Sequence, residues 1–145
     1  MIKKISVLIL IIFMLCMSVY GAAGTVKIGF MGALTGDVAM FGIPTLAGMK
    51  MAVEDVNKAG RVNGQKMVIV EADNRGDKPE AANIAQKFIS RDRVAAIVGD
   101  PTTGITKVVA PICERNKVVL LSAGAVGTGV VELESIFSVT LCWIP

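Results

Sequence analysis

Residues 94–104 read Val-Ala-Ala-Ile-Val-Gly-Asp-Pro-Thr-Thr-Gly. The continuous apolar run from Val94 to Val98, bounded by Arg93 and Gly99, predicts a strand covered on both faces. Gly99-Asp100-Pro101 breaks that strand, and Thr102 or Thr103 stands where a helix cap is needed. Beyond them Ile105, Val108, Val109, Ile112 and Cys113 recur at i, i+3, i+4, i+7 and i+8, one stripe of a helix. Pro111 is expected to bend or shorten that helix. A buried strand that turns directly into an amphipathic helix is a building block of a parallel α/β sheet.

The same alternation extends in both directions. Val26–Met31 predicts a strand and Phe41–Ala59 a helix, with Leu46, Met49, Val53 and Val56 on one stripe. Gly60 ends the helix, and Asn63-Gly64 makes a turn. Met67–Ala72 is a second strand, followed by a polar loop from Asp73 to Lys78. Pro79 suits the first turn of a helix, whose inner stripe is Ala81, Ile84, Ala85 and Phe88. Val118–Leu121 is the fourth strand. Gly124, Gly127 and Gly129 form a flexible loop before a fifth strand near Ile136–Leu141. The expected fold class is α/β, a parallel sheet with helices on both faces.

Composition narrows the chemistry. The 145 residues are 53% hydrophobic and 19% charged, which suits one folded domain. The chain has no histidine, so Ser–His–Asp and Cys–His nucleophiles are excluded and the commonest metal ligand is missing. Three scattered cysteines, Cys16, Cys113 and Cys142, do not make a structural zinc site. Cys113 lies on an apolar stripe and reads as core. Neither an enzyme nor a cofactor is expected. The formal charge of +3 falls to +1 without Lys3 and Lys4 (13 basic against 12 acidic residues), which is no surface for nucleic acid.

Lys3 and Lys4, the apolar run Ile5–Met17, and small residues from Ser18 to Ala23 follow the order of a secretory signal. Residues 1–23 are read as a leader cleaved after Ala23, with retention as a membrane anchor the alternative. Residues 24–145 then work outside the cytoplasm, in the periplasm or at the outer face of the cytoplasmic membrane.

Ligands of open parallel sheets bind beyond the carboxyl ends of the strands. Three loops lie there: 32–42, 99–104 and 122–128. The glycines at 29, 32 and 36 do not match a dinucleotide fingerprint, and no Gly-Lys-Ser/Thr makes a phosphate loop. Loop 99–104 opens a helix, where free amides and the hydroxyls of Thr102 and Thr103 suit a small carboxylate. Plain capping by Thr102 is the simpler reading. Ser122-Ala123-Gly124-Ala125 leaves room for a guest and offers carbonyls to an ammonium. Glu71, Asp73 and Asp77 read as solvated carboxylates.

An ordered series of segments carries a family resemblance. It runs through Gly32-Ala33-Leu34-Thr35-Gly36, Phe41-Gly42, residues 46–57 (LAGMKMAVEDVN), residues 62–66 (VNGQK), residues 95–99 (AAIVG), Ala110-Pro111-Ile112-Cys113-Glu114 and Leu121-Ser122-Ala123. Together they resemble the N-terminal lobe of the leucine/isoleucine/valine-binding protein family, type I periplasmic binding proteins of ABC importers. The resemblance implies two α/β lobes closing on a ligand, of which residues 24–145 are the first, incomplete. It implies an amino acid or related amide as ligand, branched-chain amino acids being favoured, and a membrane permease as partner. It also implies ligand-facing positions at Phe41, Thr102, Thr103, Ser122, Gly124 and Val126. Many members carry a threonine at the place of Val126, so Thr128 would have to substitute through a shift of the loop. Some members join the loops after strands two and three by a disulfide; Gly76 and Thr102 stand at those places here. The alternatives to transport are the ligand-binding part of a sensor and a truncated remnant.

Overall fold

A computed structural model of the chain describes residues 24–60, 62–127 and the backbone of 138–140. The predicted leader, Cys16, Thr128, Gly129, Cys142 and Trp143 lie outside the described residues. The elements run β1 (Thr25–Gly32), α1 (Ala39–Lys58), β2 (Lys66–Asp73), α2 (Lys78–Lys87), β3 (Ala96–Gly99), α3 (Thr103–Arg115), β4 (Val119–Ser122) and β5 (Ser138–Thr140). All five strands are parallel, in the order β2-β1-β3-β4-β5. The sheet predicted from the alternation is therefore present, with each strand end within two residues of its expected place.

Helix α1 packs on one face, against β1 and β2. Its tail is sutured to the start of β2 by Asn57, whose Nδ2 donates to the Met67 carbonyl at 2.9 Å and whose Oδ1 accepts from the Met67 amide at 2.8 Å. Asn63 and Gly64 both take positive φ (50° and 76°), and Val62 and Gln65 bridge around them as a tight turn. Gly42 is required on α1, because a Cβ there would stand 2.0 Å from the Ala33 carbonyl oxygen.

Helices α2 and α3 pack on each other and on the opposite face. The predicted stripes Ala81, Ile84, Ala85, Phe88 and Ile105, Val109, Ile112, Cys113 are buried there around Met31, Ile97 and Leu120. Cys113 has no exposed surface, and burial pushes its thiol up to about 12, as a core cysteine should behave. Asp77 caps α2 by accepting from the Glu80 amide at 2.7 Å, and Pro79 occupies its first turn.

Two expectations change. Helix α2 runs on through a π-helical turn, Phe88–Asp92, and ends at Arg93 with φ 53°. That turn draws Val94 out of the strand, since its amide is bonded to the Phe88 carbonyl at 3.1 Å. Strand β3 thus starts at Ala96, and only its Ile97 and Gly99 side is fully covered; Ala96 and Val98 are half-buried. Pro111 does not shorten α3, which continues to Arg115. An exposed proline in the second half of the helix costs one intrahelical bond while the buried stripe on the other side holds.

Replacing Phe88 by Ala should lower the unfolding free energy by about 3–5 kcal/mol in urea denaturation, because its fully buried ring also covers Gly29. Met51→Ala, at a 68% exposed position, should stay within about 0.5 kcal/mol of wild type. Equal effects at the two positions would place the core elsewhere.

Candidate functional site

Register brings the predicted loops to one edge. Gly32 is level with Asp73 and Gly99 with Ser122, so the chain leaves β1, β2, β3 and β4 side by side at the carboxyl end of the sheet. Helix α3 starts in the middle of this edge, with its N-terminus toward the loops.

A buried polar cluster joins three of the four exits. Asn74 and Ser122 have no exposed surface, and Asp100 and Thr106 are 2% exposed. The Asn74 Nδ2 donates to Asp100 Oδ2 at 2.8 Å. Asp100 Oδ1 accepts from the Thr102 amide at 2.7 Å and from the Thr102 hydroxyl. Ser122 Oγ donates to the Asp100 carbonyl at 3.1 Å and accepts from the Ala125 amide at 3.3 Å. Thr106 Oγ1 lies 2.9 Å from the Thr102 carbonyl and 3.2 Å from Ser122 Oγ. A hydroxyl has one proton to give; with that of Ser122 on Asp100, that of Thr106 goes to Thr102. Each buried polar side chain in the cluster has a partner, as burial demands.

The first loop is held from β2. Asp73 accepts from the Leu34 amide at 2.8 Å, the Arg75 amide at 2.9 Å and the Thr35 hydroxyl. Burial acts to raise its pKa, but the Thr35 hydroxyl and the amides of Leu34, Arg75 and Thr35 outweigh it and hold the carboxyl below the ordinary aspartate value. None of the three carboxylates near this loop is simply solvated. Asp73 braces loop 32–42, Asp77 caps α2, and Glu71 pairs with Lys50 at 2.9 Å across α1.

The predicted ligand-facing residues separate into two groups. Thr102 has the N-cap backbone of α3 (φ −91°, ψ 135°), but its side chain makes no cap bond; the hydroxyl is turned to Asp100. Plain capping by Thr102 is thereby excluded. Ser122 has no surface to offer a guest and serves as the buried tie between the exits of β3 and β4. Thr103 is half-buried, and its Oγ1 accepts from the Gly127 amide at 3.1 Å. Gly124 is half-buried against Pro101, Phe41 is 49% exposed and Val126 71% exposed. Of the predicted set only Ser122 is buried; Thr102, Thr103 and Gly124 are half-buried, and Phe41 and Val126 are exposed. Asn74, Asp100 and Thr106 were missed by sequence reasoning. The signal was an aspartate directly after a buried strand, a threonine on the apolar stripe of α3, and an asparagine opening the loop after β2.

Among the described residues no group of His, Cys, Asp or Glu is placed to hold a metal ion. What the edge offers instead is a helix N-terminus whose first-turn amides have no intrahelical acceptor and no side-chain cap.

The sequence model of the family described as periplasmic binding protein matches residues 25–140. The chain belongs to this family. It is 33% identical over 118 residues to the Leu/Ile/Val-binding protein homolog 3 of Brucella melitensis, a match over 80% of this chain and 32% of that protein. Its fold is similar to the branched-chain amino acid transporter substrate binding protein LivJ of Streptococcus pneumoniae in complex with isoleucine. That match has a TM-score of 0.76 at 28% identity, over 80% of this chain and 33% of LivJ. A solute binding protein of an ABC transporter from Rhodopseudomonas palustris, in complex with 3,4-dihydroxybenzoic acid, has a TM-score of 0.71 at 25% identity. That match covers 80% of this chain and 31% of that one. The chain thus spans about a third of the length of the proteins it matches, and these relatives are named as binding proteins, not enzymes.

Because the folded-state pKa of Asp73 lies below its unfolded value, its contribution to stability is complete above the unfolded value. That contribution is lost as the pH falls through the folded one. A carboxyl-carbon NMR titration should therefore find Asp73 titrating below the ordinary aspartate range, and Thr35→Val should move the midpoint upward. An unmoved midpoint in the variant would contradict the brace.

Proposed function

We propose that this chain is the first lobe of an extracytoplasmic solute-binding component of an ABC importer, and that its loop edge receives the carboxylate of an amino acid, of branched-chain type. The observation that carries the reading is the uncapped N-terminus of α3 beside Thr103. Amides at a helix start favour an anion through both their free N–H groups and the helix dipole. Thr103 Oγ1 already accepts from the Gly127 amide, so its own proton is directed elsewhere, and an acceptor in the crevice completes it. Both ligands named for the two solved relatives, isoleucine and 3,4-dihydroxybenzoic acid, carry a carboxyl group and differ in the rest of the molecule. That pattern supports a shared carboxylate end on this lobe.

Phe41 and Val126 offer apolar surface at the rim, which suits an aliphatic side chain better than a charged one. Closing the guest from the other side falls to the portion of the relatives this chain does not match, and handover falls to a membrane permease. Export rests on the leader-like order of residues 1–23 and on the family.

Amide NMR titration of the chain tests the site. L-Leucine and isovalerate, which share a carboxylate, should shift Thr103, Gly104 and Ile105, and leucinol, which lacks it, should not. A response to leucinol equal to that of leucine would remove the carboxylate from the reading. For export, N-terminal sequencing of the product secreted by a bacterial host should begin at Gly24; a product retaining residues 1–23 would mean an anchor.

A further inference from the structure

Asp100 stands next to a site that favours anions, where its carboxylate would compete with an anionic guest unless it has another task. Its surroundings show the task. Both of its oxygens are occupied from inside the lobe, Oδ2 by Asn74 and Oδ1 by the amide and hydroxyl of Thr102. Thr102 is the N-cap of α3, and threonine is a favoured capping residue. Its backbone already has the extended conformation of a cap, so a side-chain rotation would set its oxygen on the amide of Gly104 or Ile105, the second and third helical positions. In this lobe the hydroxyl makes no such bond.

We propose that Asp100 is a positioning residue that holds the Thr102 hydroxyl away from the end of α3 and so keeps the first-turn amides free for the ligand. The inference rests on the carboxylate reading above for what the free amides do. It does not rest on it for the contest between Asp100 and the helix end over one hydroxyl. Asn74 is the second half of the device. Its Nδ2 fixes Asp100 Oδ2 while its Oδ1 accepts from the Gly76 amide at 3.0 Å, so the carboxylate cannot swing toward the crevice. The pair also ties the exits of β2 and β3. Asp100 thus keeps a natural cap from being made at the helix start that follows β3.

The test reads solvent exchange of the Gly104 and Ile105 amides by NMR, together with the dissociation constant for L-leucine. In Asp100→Ala the released Thr102 should cap α3. One of the two amides should then exchange roughly fivefold more slowly, the factor a threonine cap of ordinary strength implies, and leucine should bind more weakly by a similar factor. Asp100→Ala/Thr102→Ala should return both values to wild type, although it restores no lost stability; a purely structural role for Asp100 predicts no such rescue. Thr102→Ala alone should leave exchange unchanged, and if Asp100→Ala does not fold, Asn74→Leu/Asp100→Ala, which leaves no orphaned amide, is read for the same slowing. Faster exchange in Thr102→Ala, or unchanged exchange in folded Asp100→Ala, overturns the proposal. If exchange follows the expected pattern but wild type does not bind leucine, the ligand reading fails and the assignment of Asp100 stands.

Discussion

A carboxylate removed from water must be met by donors, and Asp100 is 2% exposed. The loop edge of this lobe is arranged around that requirement. Asn74 comes from the exit of β2, Thr102 from the start of α3, and Ser122 from the end of β4 to the carbonyl of the same residue. The three exits therefore cannot move independently, and Ala125 and Gly127 are drawn in through Ser122 and Thr103. A half-satisfied cluster of this kind would be worse than an apolar one, which is why its members have so few unpaired atoms.

The sheet beneath was largely legible in the sequence because its signals are periodic and local. Stripes of Leu46, Val53 and Val56, of Ala81, Ile84, Ala85 and Phe88, and of Ile105, Val109 and Cys113 gave the helices and their inner faces. The start of β3 is not legible because Val94 is as apolar as a strand residue, while the π-helical turn that removes it begins at the buried Phe88. The polar cluster was not legible, since Asn74, Asp100, Thr106 and Ser122 are separated by up to 48 positions and meet only through parallel register. Thr102 and Thr103 were expected side by side as ligand donors. The structure separates their tasks, because the hydroxyl of one turns to Asp100 and that of the other accepts from the Gly127 amide.

The two sides of the sheet differ in how fully they are covered. Over β3 and β4, Ile97 and Leu120 lie under α2 and α3, whereas Val98 and Leu121 on the α1 side are half-buried and Val119 is 39% exposed. Parallel strands are ordinarily covered on both faces. Among the described elements, helix α1 packs chiefly on β1 and β2. The covered side and the Asp100 cluster share α3, so the loop edge is braced by the better packed half of the lobe. A rigid frame there would spare the ligand the cost of ordering these loops.

The most direct measurement is a crystal structure of the chain with L-leucine. The account predicts the leucine carboxylate at the start of α3, within hydrogen-bond distance of Thr103 Oγ1 and the amides of Gly104 or Ile105, with the Thr102 hydroxyl still on Asp100. Leucine bound with its ammonium at that helix end, or with Thr102 capping α3 beneath it, would contradict it.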